Sequence, residues 1–121
     1  MATILATTTI DLSKEQKRKL FNEINTAIVK TFPTPSILFR DIDEEDCTGM
    51  CKNQIQIAVC VPPYVQIERR RKLVKDIDDI KLKVKDYLGD VNIIVTFIYH
   101  DDEACGVDGV LRADAKAAAN K

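Results

Sequence analysis

The sequence predicts an α/β (α+β) domain of two tandem β-α-β units, forming a four-stranded mixed sheet with two helices on one face. Two patterns point there. Short runs rich in β-branched residues alternate with longer stretches whose apolar residues recur at spacings of three and four, in the order β-α-β-β-α-β. A shift of 53 residues also lays the first half on the second, placing Leu20 on Leu73, Ile24 on Ile77, Ala27 on Ile80 and Ile4 on Ile57.

Each element has its own signal. Ala2 to Thr9 is β-branched and reads as the first strand. Ser13 with Gln16 three residues later is a capping box, opening a helix whose buried stripe is Leu20, Ile24, Ala27, Ile28 and Thr31. Pro33 and Pro35 stop it. Ile37 to Ile42 is the second strand, followed by the acidic loop Asp43-Glu44-Glu45-Asp46, and Gln54 to Val61 is the third. Pro62-Pro63 lead into one long helix over about 65–88, with Leu73, Ile77, Ile80, Val84 and Leu88 on one face and Gly89 as its C-cap. Val91 to Tyr99 is the last long strand, and the Ala/Lys-rich tail 113–121 is expected to fray. The two pseudo-repeats then span about 2–53 and 54–112 of a single domain. Past the helices a shift of 57 fits better, laying Asp46-Cys47-Thr48-Gly49 on Glu103-Ala104-Cys105-Gly106.

Composition narrows the function classes. The 121 residues, 45% of them apolar, bury enough surface to fold without a metal or disulfide. With 18 Lys+Arg against 19 Asp+Glu the net charge is −1, which offers phosphate no overall attraction, so no nucleic-acid partner is expected. No apolar run approaches the roughly 20 residues of a membrane helix, and no signal peptide opens the chain, so the expected location is cytoplasmic with no membrane partner. In that compartment Cys47, Cys51, Cys60 and Cys105 are expected to be reduced, with Cys60 a buried small hydrophobe. Cys47, Cys51, His100 and Cys105 could make up a four-ligand set, but the three-residue gap in Cys47-x-x-x-Cys51 is not zinc-knuckle spacing, so neither a metal nor another cofactor is expected.

Two parallel β-α-β crossovers place both helices on one side of the sheet. Consecutive apolar residues in the strands (Ile57-Ala58-Val59; Ile93-Ile94-Val95) call for cover on both faces. One chain of this length has no third layer to supply, so self-association is expected.

Ser13-Lys14-Glu15-Gln16-Lys17, Pro35 and Arg40 in register behind it, and the terminal run Glu103-Ala104-Cys105-Gly106-Val107-Asp108-Gly109-Val110 together resemble the tautomerase superfamily, whose members include 4-oxalocrotonate tautomerase and macrophage migration inhibitory factor. The resemblance spans nearly the whole chain and implies a fused, two-unit member that forms a homotrimer, with a hairpin near its C-terminus. It also implies proton transfer on small α-keto or enol carboxylates, by an N-terminal proline acting as base and an Arg that binds the carboxylate. Here Ala2 stands in the proline's place, and Leu12 replaces a second family Arg.

Ala2 and Arg40 are therefore the candidate catalytic residues. If Met1 is removed, Ala2 offers a primary amine with an ordinary pKa of about 8, which modest desolvation turns into a base or a Schiff-base nucleophile. Retention of Met1 would move the amine one residue outward, and Ala2 would then merely begin an edge strand. Arg40 reads either as an anion clamp for a small carboxylate or as an ion-pair partner of Asp41, Asp43 or Glu44. Arg69-Arg70-Arg71-Lys72 opposes the dipole of the helix it opens, and reads as solvated surface or as a patch for an anionic partner. His100 beside Asp101 and Asp102 reads as a solvated turn or as a base with carboxylate orienters. Three readings of function follow: an amine-dependent isomerase, a catalytically silent binding or scaffold homotrimer, and a ferredoxin-like regulatory module.

Overall fold

The structure, a computed structural model, describes residues 2–48 and 53–120. Met1, Cys51, Lys121 and the Gly49-Met50 end of the acidic loop lie outside the described residues. Six strands and four helices follow in the order β1 (Thr3–Thr8), α1 (Lys14–Val29), β2 (Ser36–Asp41), β3 (Gln54–Val61), α2 (Ile67–Asp78), α3 (Lys81–Leu88), β4 (Asn92–Tyr99), β5 (Gly106–Val107), β6 (Val110–Leu111) and α4 (Arg112–Ala119), with a 3-10 turn at Glu44–Asp46.

The four long strands form one mixed sheet in the order β2-β1-β3-β4. β1 runs parallel to β2 and antiparallel to β3, and β3 runs parallel to β4, so each unit contributes one parallel pair and the units join through β1 and β3. β1 is thus an interior strand rather than an edge.

Alternation along the strands divides the side chains between two unlike faces. Ile4, Ala6, Ile55, Ile57, Val59 and Val61 point to the helical side, where they meet Leu20, Ile24, Ile28, Leu73, Ile77 and Val84 in one buried core. Each of these larger side chains contributes about 1.5–3 kcal/mol by leaving water. Among the described residues the opposite face carries no helix. Its residues include Leu5, Leu38, Ile94 and Ile98, all exposed, with Leu38 retaining 65% of its surface. Cys60 belongs to this open face and is half-buried, because strand parity turns it away from the core that its apolar neighbours Val59 and Val61 enter.

α1 opens with the capping box the sequence encodes. Gln16 N–H donates to Ser13 Oγ at 3.1 Å, and Ser13 N–H donates to Gln16 Oε1 at 3.0 Å. The long second helix is instead two, α2 and α3. Near Asp79 and Ile80 the chain tightens to three-residue bonding, with Ile80 N–H donating to Ile77 O at 3.2 Å and Lys83 N–H to Ile80 O at 2.9 Å. That tightening keeps Leu73, Ile77, Ile80 and Val84 on the core side without interruption. Gly89 ends α3 at φ 67°, a conformation that favours glycine.

The pairing register corrects one offset. Ala6 faces Phe39 and Val59 faces Phe97, so β2 maps onto β4 with a shift of 58, not 57. The hairpin expected near the C-terminus is present. Asp108 (φ 52°) and Gly109 (φ 87°) turn the β5–β6 hairpin, as an Asp-Gly pair does in a two-residue loop. The tail expected to fray forms α4 instead. Ala113 N–H donates to Asp102 O at 2.9 Å, Arg112 N–H donates to Cys105 O at 2.8 Å, and Lys116 Nζ reaches Asp102 Oδ2 at 2.7 Å.

Candidate functional site

Because β1 and β3 are antiparallel, the start of β1 lies beside the end of β3, with Thr3 opposite Cys60. Ala2, one residue earlier, therefore sits by Pro62 and the entry into α2. Parity sends Ala2 to the core side, where it is fully buried, and its carbonyl accepts Ser36 N–H at 2.9 Å. The turn after α1 closes the same corner. The result is a cavity of about 250 Å³ lined by Ala2, Phe32, Pro33, Thr34, Pro62, Tyr64, Val65 and Arg69. Its walls are mostly apolar, and Arg69 is the one ionisable residue with a fixed charge among them.

Arg69, read from the sequence as part of a basic run that is either solvated surface or a patch for an anionic partner, is exposed, yet it is also held by the chain. Its Nη2 donates to Thr31 O at 2.6 Å, and its guanidinium stacks on the Phe32 ring at 4.8 Å from the centroid. Lys72 Nζ donates to Lys30 O at 3.3 Å. These cations sit at the N-terminus of α2 because the C-terminus of α1 lies against them, where carbonyls without helical partners accept their bonds. The contact between the two helices, not the dipole of α2, accounts for their place. Arg70 turns elsewhere, donating to the Tyr99 hydroxyl at 2.5 Å. The only signal in the chain that pointed to Arg69 was that mismatch with its own helix.

Arg40 lies apart from this corner. It is exposed on the open face, opposite Thr7, five residues along β1 from Ala2 or roughly 17 Å. Ala2 and Arg40 therefore do not meet within one chain. The acid next to Arg40 is taken by another cation: Lys17 Nζ lies 2.8 Å from Asp41 Oδ1, and this hydrogen bond holds the Asp41 carboxyl below its ordinary range. His100 gains no carboxylate orienter from Asp102, whose oxygens face Lys116 at 2.7 Å and Arg112 at 3.8 Å. Those cations, Lys116 first, lower the Asp102 pKa. Among the described residues no group of three or more His, Cys, Asp or Glu side chains is arranged to hold a metal ion, and no helix is long and apolar enough to cross a membrane.

No family model and no curated protein matches the sequence. Solved structures do match. A fused 4-OT that forms a symmetric trimer superposes with a TM-score of 0.72 at 13% identity, covering 93% of this chain and 98% of that one. Malonate semialdehyde decarboxylase inhibited by 3-bromopropiolate superposes with a TM-score of 0.67 at 15% identity, covering 96% of each chain. Pt0534, inactivated by 2-oxo-3-pentynoate, superposes with a TM-score of 0.71 at 18% identity, covering 95% of this chain and 97% of that one. The chain has the two-unit fold of the fused members of the tautomerase superfamily, at full length.

Proposed function

We propose that the chain works as an isomerase of small α-keto or enol carboxylates, with the Ala2 amine as general base and Arg69 as the anchor for the carboxylate. One observation supports this most: the first residue after Met1 is buried at the wall of a small apolar cavity that holds a single guanidinium. An amine freed there stands against the buried Phe32 and Val65 on one side and opens to solvent past Tyr64 on the other, and even partial desolvation favours its neutral form, which fits it to move a proton between oxygen and carbon. Arg69, stacked on Phe32, stabilises the negative charge that develops on the enolate.

The working form in this reading is a homotrimer. The uncovered face with Leu5, Leu38, Ile94 and Ile98 supports self-association, and the fused 4-OT that shares the fold is a trimer. Arg40, on that face, acts as an anion clamp only toward a neighbouring subunit. A reducing cytoplasmic setting suits the free Cys60 and Cys105.

A catalytically silent binding or scaffold trimer is the second reading. It is favoured by the separation of Arg40 from Ala2 and by Leu12 where the superfamily resemblance implies a second Arg. Intact mass first establishes whether Ala2 is the N-terminus. Ketonisation of phenylenolpyruvate is then compared in wild type, Ala2→Pro and Arg69→Ala. Wild-type activity that falls about tenfold or more in Arg69→Ala upholds the isomerase, since a hydrogen bond to a charged group contributes about 1.5–3 kcal/mol. Activity in the proline variant alone identifies the silent trimer.

A further inference from the structure

We infer that the groove between α2 and β4 binds an amphipathic monocarboxylate, an acid with an unbranched apolar tail, whose carboxylate pairs with Arg70. The groove has a volume of about 480 Å³ and shares no lining residue with the Ala2 cavity. Its occupant is therefore independent of the amine at Ala2.

The two units of the chain differ at this place in charge. A shift of 53 carries Lys17 onto Arg70, and the strand register carries Asp41, opposite Thr8, onto Tyr99, opposite Val61. In the first unit the cation meets a carboxylate, with Lys17 Nζ 2.8 Å from Asp41 Oδ1. In the second it meets a phenol. Arg70 Nη1 donates to the Tyr99 hydroxyl, and the guanidinium lies 5.5 Å from the centroid of that ring. A neutral oxygen does not balance the charge, and Arg70 Nε is buried with no hydrogen bond among the described residues. A ligand carboxylate there does for Arg70 what Asp41 does for Lys17.

The units differ in filling too. Phe21 stands on α1 where α2 has Val74, a smaller side chain that keeps 41% of its surface exposed. Beside Val74, the side chains of Ile93, Val95 and Phe97 on the edge strand are only partly covered and form an apolar floor. The rim is cationic. Arg71 has Glu68 only at 3.9 Å, and Lys75 pairs with no acid among the described residues. The one acid in the lining, Asp78, is held by Lys81 at 2.8 Å.

These features lie in order along the groove. α2 runs antiparallel to β4, as a crossover helix does, so Arg70 and Tyr99 mark one end and Asp78 and Ile93 the other. Phe97 to Ile93 covers about 13 Å of strand. An acyl chain of medium length fits that floor, with its carboxylate at Arg70 and its methyl end beside Ile93. The acidic side chain of a peptide is too short to carry an apolar stem past Phe97, so a peptide fits less well.

The test titrates the isotope-labelled full chain with decanoate, below its micelle concentration, and follows the amide resonances. One decanoate per chain is expected to bind saturably, with shifts confined to residues 70–78 and 92–99. Decanol, the same tail without the charge, is expected to bind about tenfold more weakly, as the loss of a charged hydrogen-bond pair requires. Acetate, the charge without the tail, is expected to give no saturable shift. These comparisons need no variant, so a folding defect cannot obscure them. Tyr99→Asp, which restores the carboxylate of the first unit, is expected to weaken decanoate about tenfold and leave decanol unchanged. Val74→Phe, which restores the larger side chain, is expected to weaken both. Equal affinity for decanol and decanoate overturns the inference, as do shifts centred on Leu5 and Leu38 of the open face. So does a hexaglutamate peptide that binds more tightly than decanoate, or a Tyr99→Asp variant that binds decanoate as wild type does.

Discussion

Leu5 lies opposite Ala58 in the antiparallel β1–β3 ladder, and the two are separated by 53 positions, the same offset that carries the start of α1 at Lys14 onto the start of α2 at Ile67. The pair is therefore its own equivalent under the repeat. On either side, Thr3 opposite Cys60 exchanges with Thr7 opposite Gln56. The internal two-fold of the chain passes between Leu5 and Ala58, at the middle of the open face, with Leu38 beside Leu5 on β2.

That position makes Leu5 a probe of assembly that leaves the core alone. Leu5→Asp places a charge on the uncovered face, where nothing in the single chain is displaced. Wild type is expected to sediment as an oligomer at micromolar concentration, and Leu5→Asp as a monomer with an unchanged far-ultraviolet spectrum. A monomeric wild type would defeat the proposed trimer.

The α1 cap gives a stability prediction. Ser13→Ala leaves Gln16 N–H without its acceptor and removes half of the reciprocal pair, and is expected to cost about 1 kcal/mol. Urea denaturation reads this as a lower midpoint at unchanged slope. Gln16→Ala, which removes only the bond from Ser13 N–H, is expected to cost less.

Local rules made much of the fold readable. Ser13 and Gln16, the stripe from Leu20 to Ile28 and the run from Gln54 to Val61 all sit where their spacing put them, because capping and periodicity act over a few residues. The division of α2 from α3 was not readable, since Ile80 keeps the apolar stripe intact through the tighter turn. Nor was α4, whose anchoring depends on Asp102 and Cys105 from outside the helix. Ala2 was singled out from its place after Met1, but its burial beside Phe32 and Val65 follows from strand parity and packing that the sequence alone does not show. Nor was the hold on Arg69 readable, because its acceptor, Thr31 O, is 38 residues away in the chain and only the packing of α2 on α1 brings the two together.

Asp41 supplies a pH dependence. Its hydrogen bond from Lys17, aided by a backbone N–H, lowers the pKa of the folded state below the ordinary value of about 3.9. A lowered folded pKa means that the stabilisation is present above that ordinary value and lost as pH falls through the folded one. Lys17→Ala is expected to move the Asp41 titration, followed by NMR, back toward the ordinary value. Because both side chains are substantially exposed, the variant should lose at most about 1 kcal/mol at neutral pH. The stability curves of the two proteins should converge in strong acid. An Asp41 titration that does not move would show that the contact exerts no hold in solution.

Asp102 decides whether α4 is held or frays. The helix buries none of its residues, so packing contributes little to keeping it formed. Its N-terminal turn is tied down by Cys105 O, which accepts from Arg112 N–H, and above all by Asp102, whose carbonyl accepts from Ala113 and whose carboxylate faces Lys116 and Arg112. Asp102→Asn keeps the carbonyl and removes the charge, so α4 should remain in place but lose protection. Amide exchange in residues 113–119 is expected to accelerate, while exchange in β1 and β3 stays as in wild type. Lowering the pH of wild type through the Asp102 pKa should reproduce the effect, because protonation removes the same charge. Equal protection of α4 in wild type and variant would mean that the two backbone bonds, from Arg112 and Ala113, suffice to hold it.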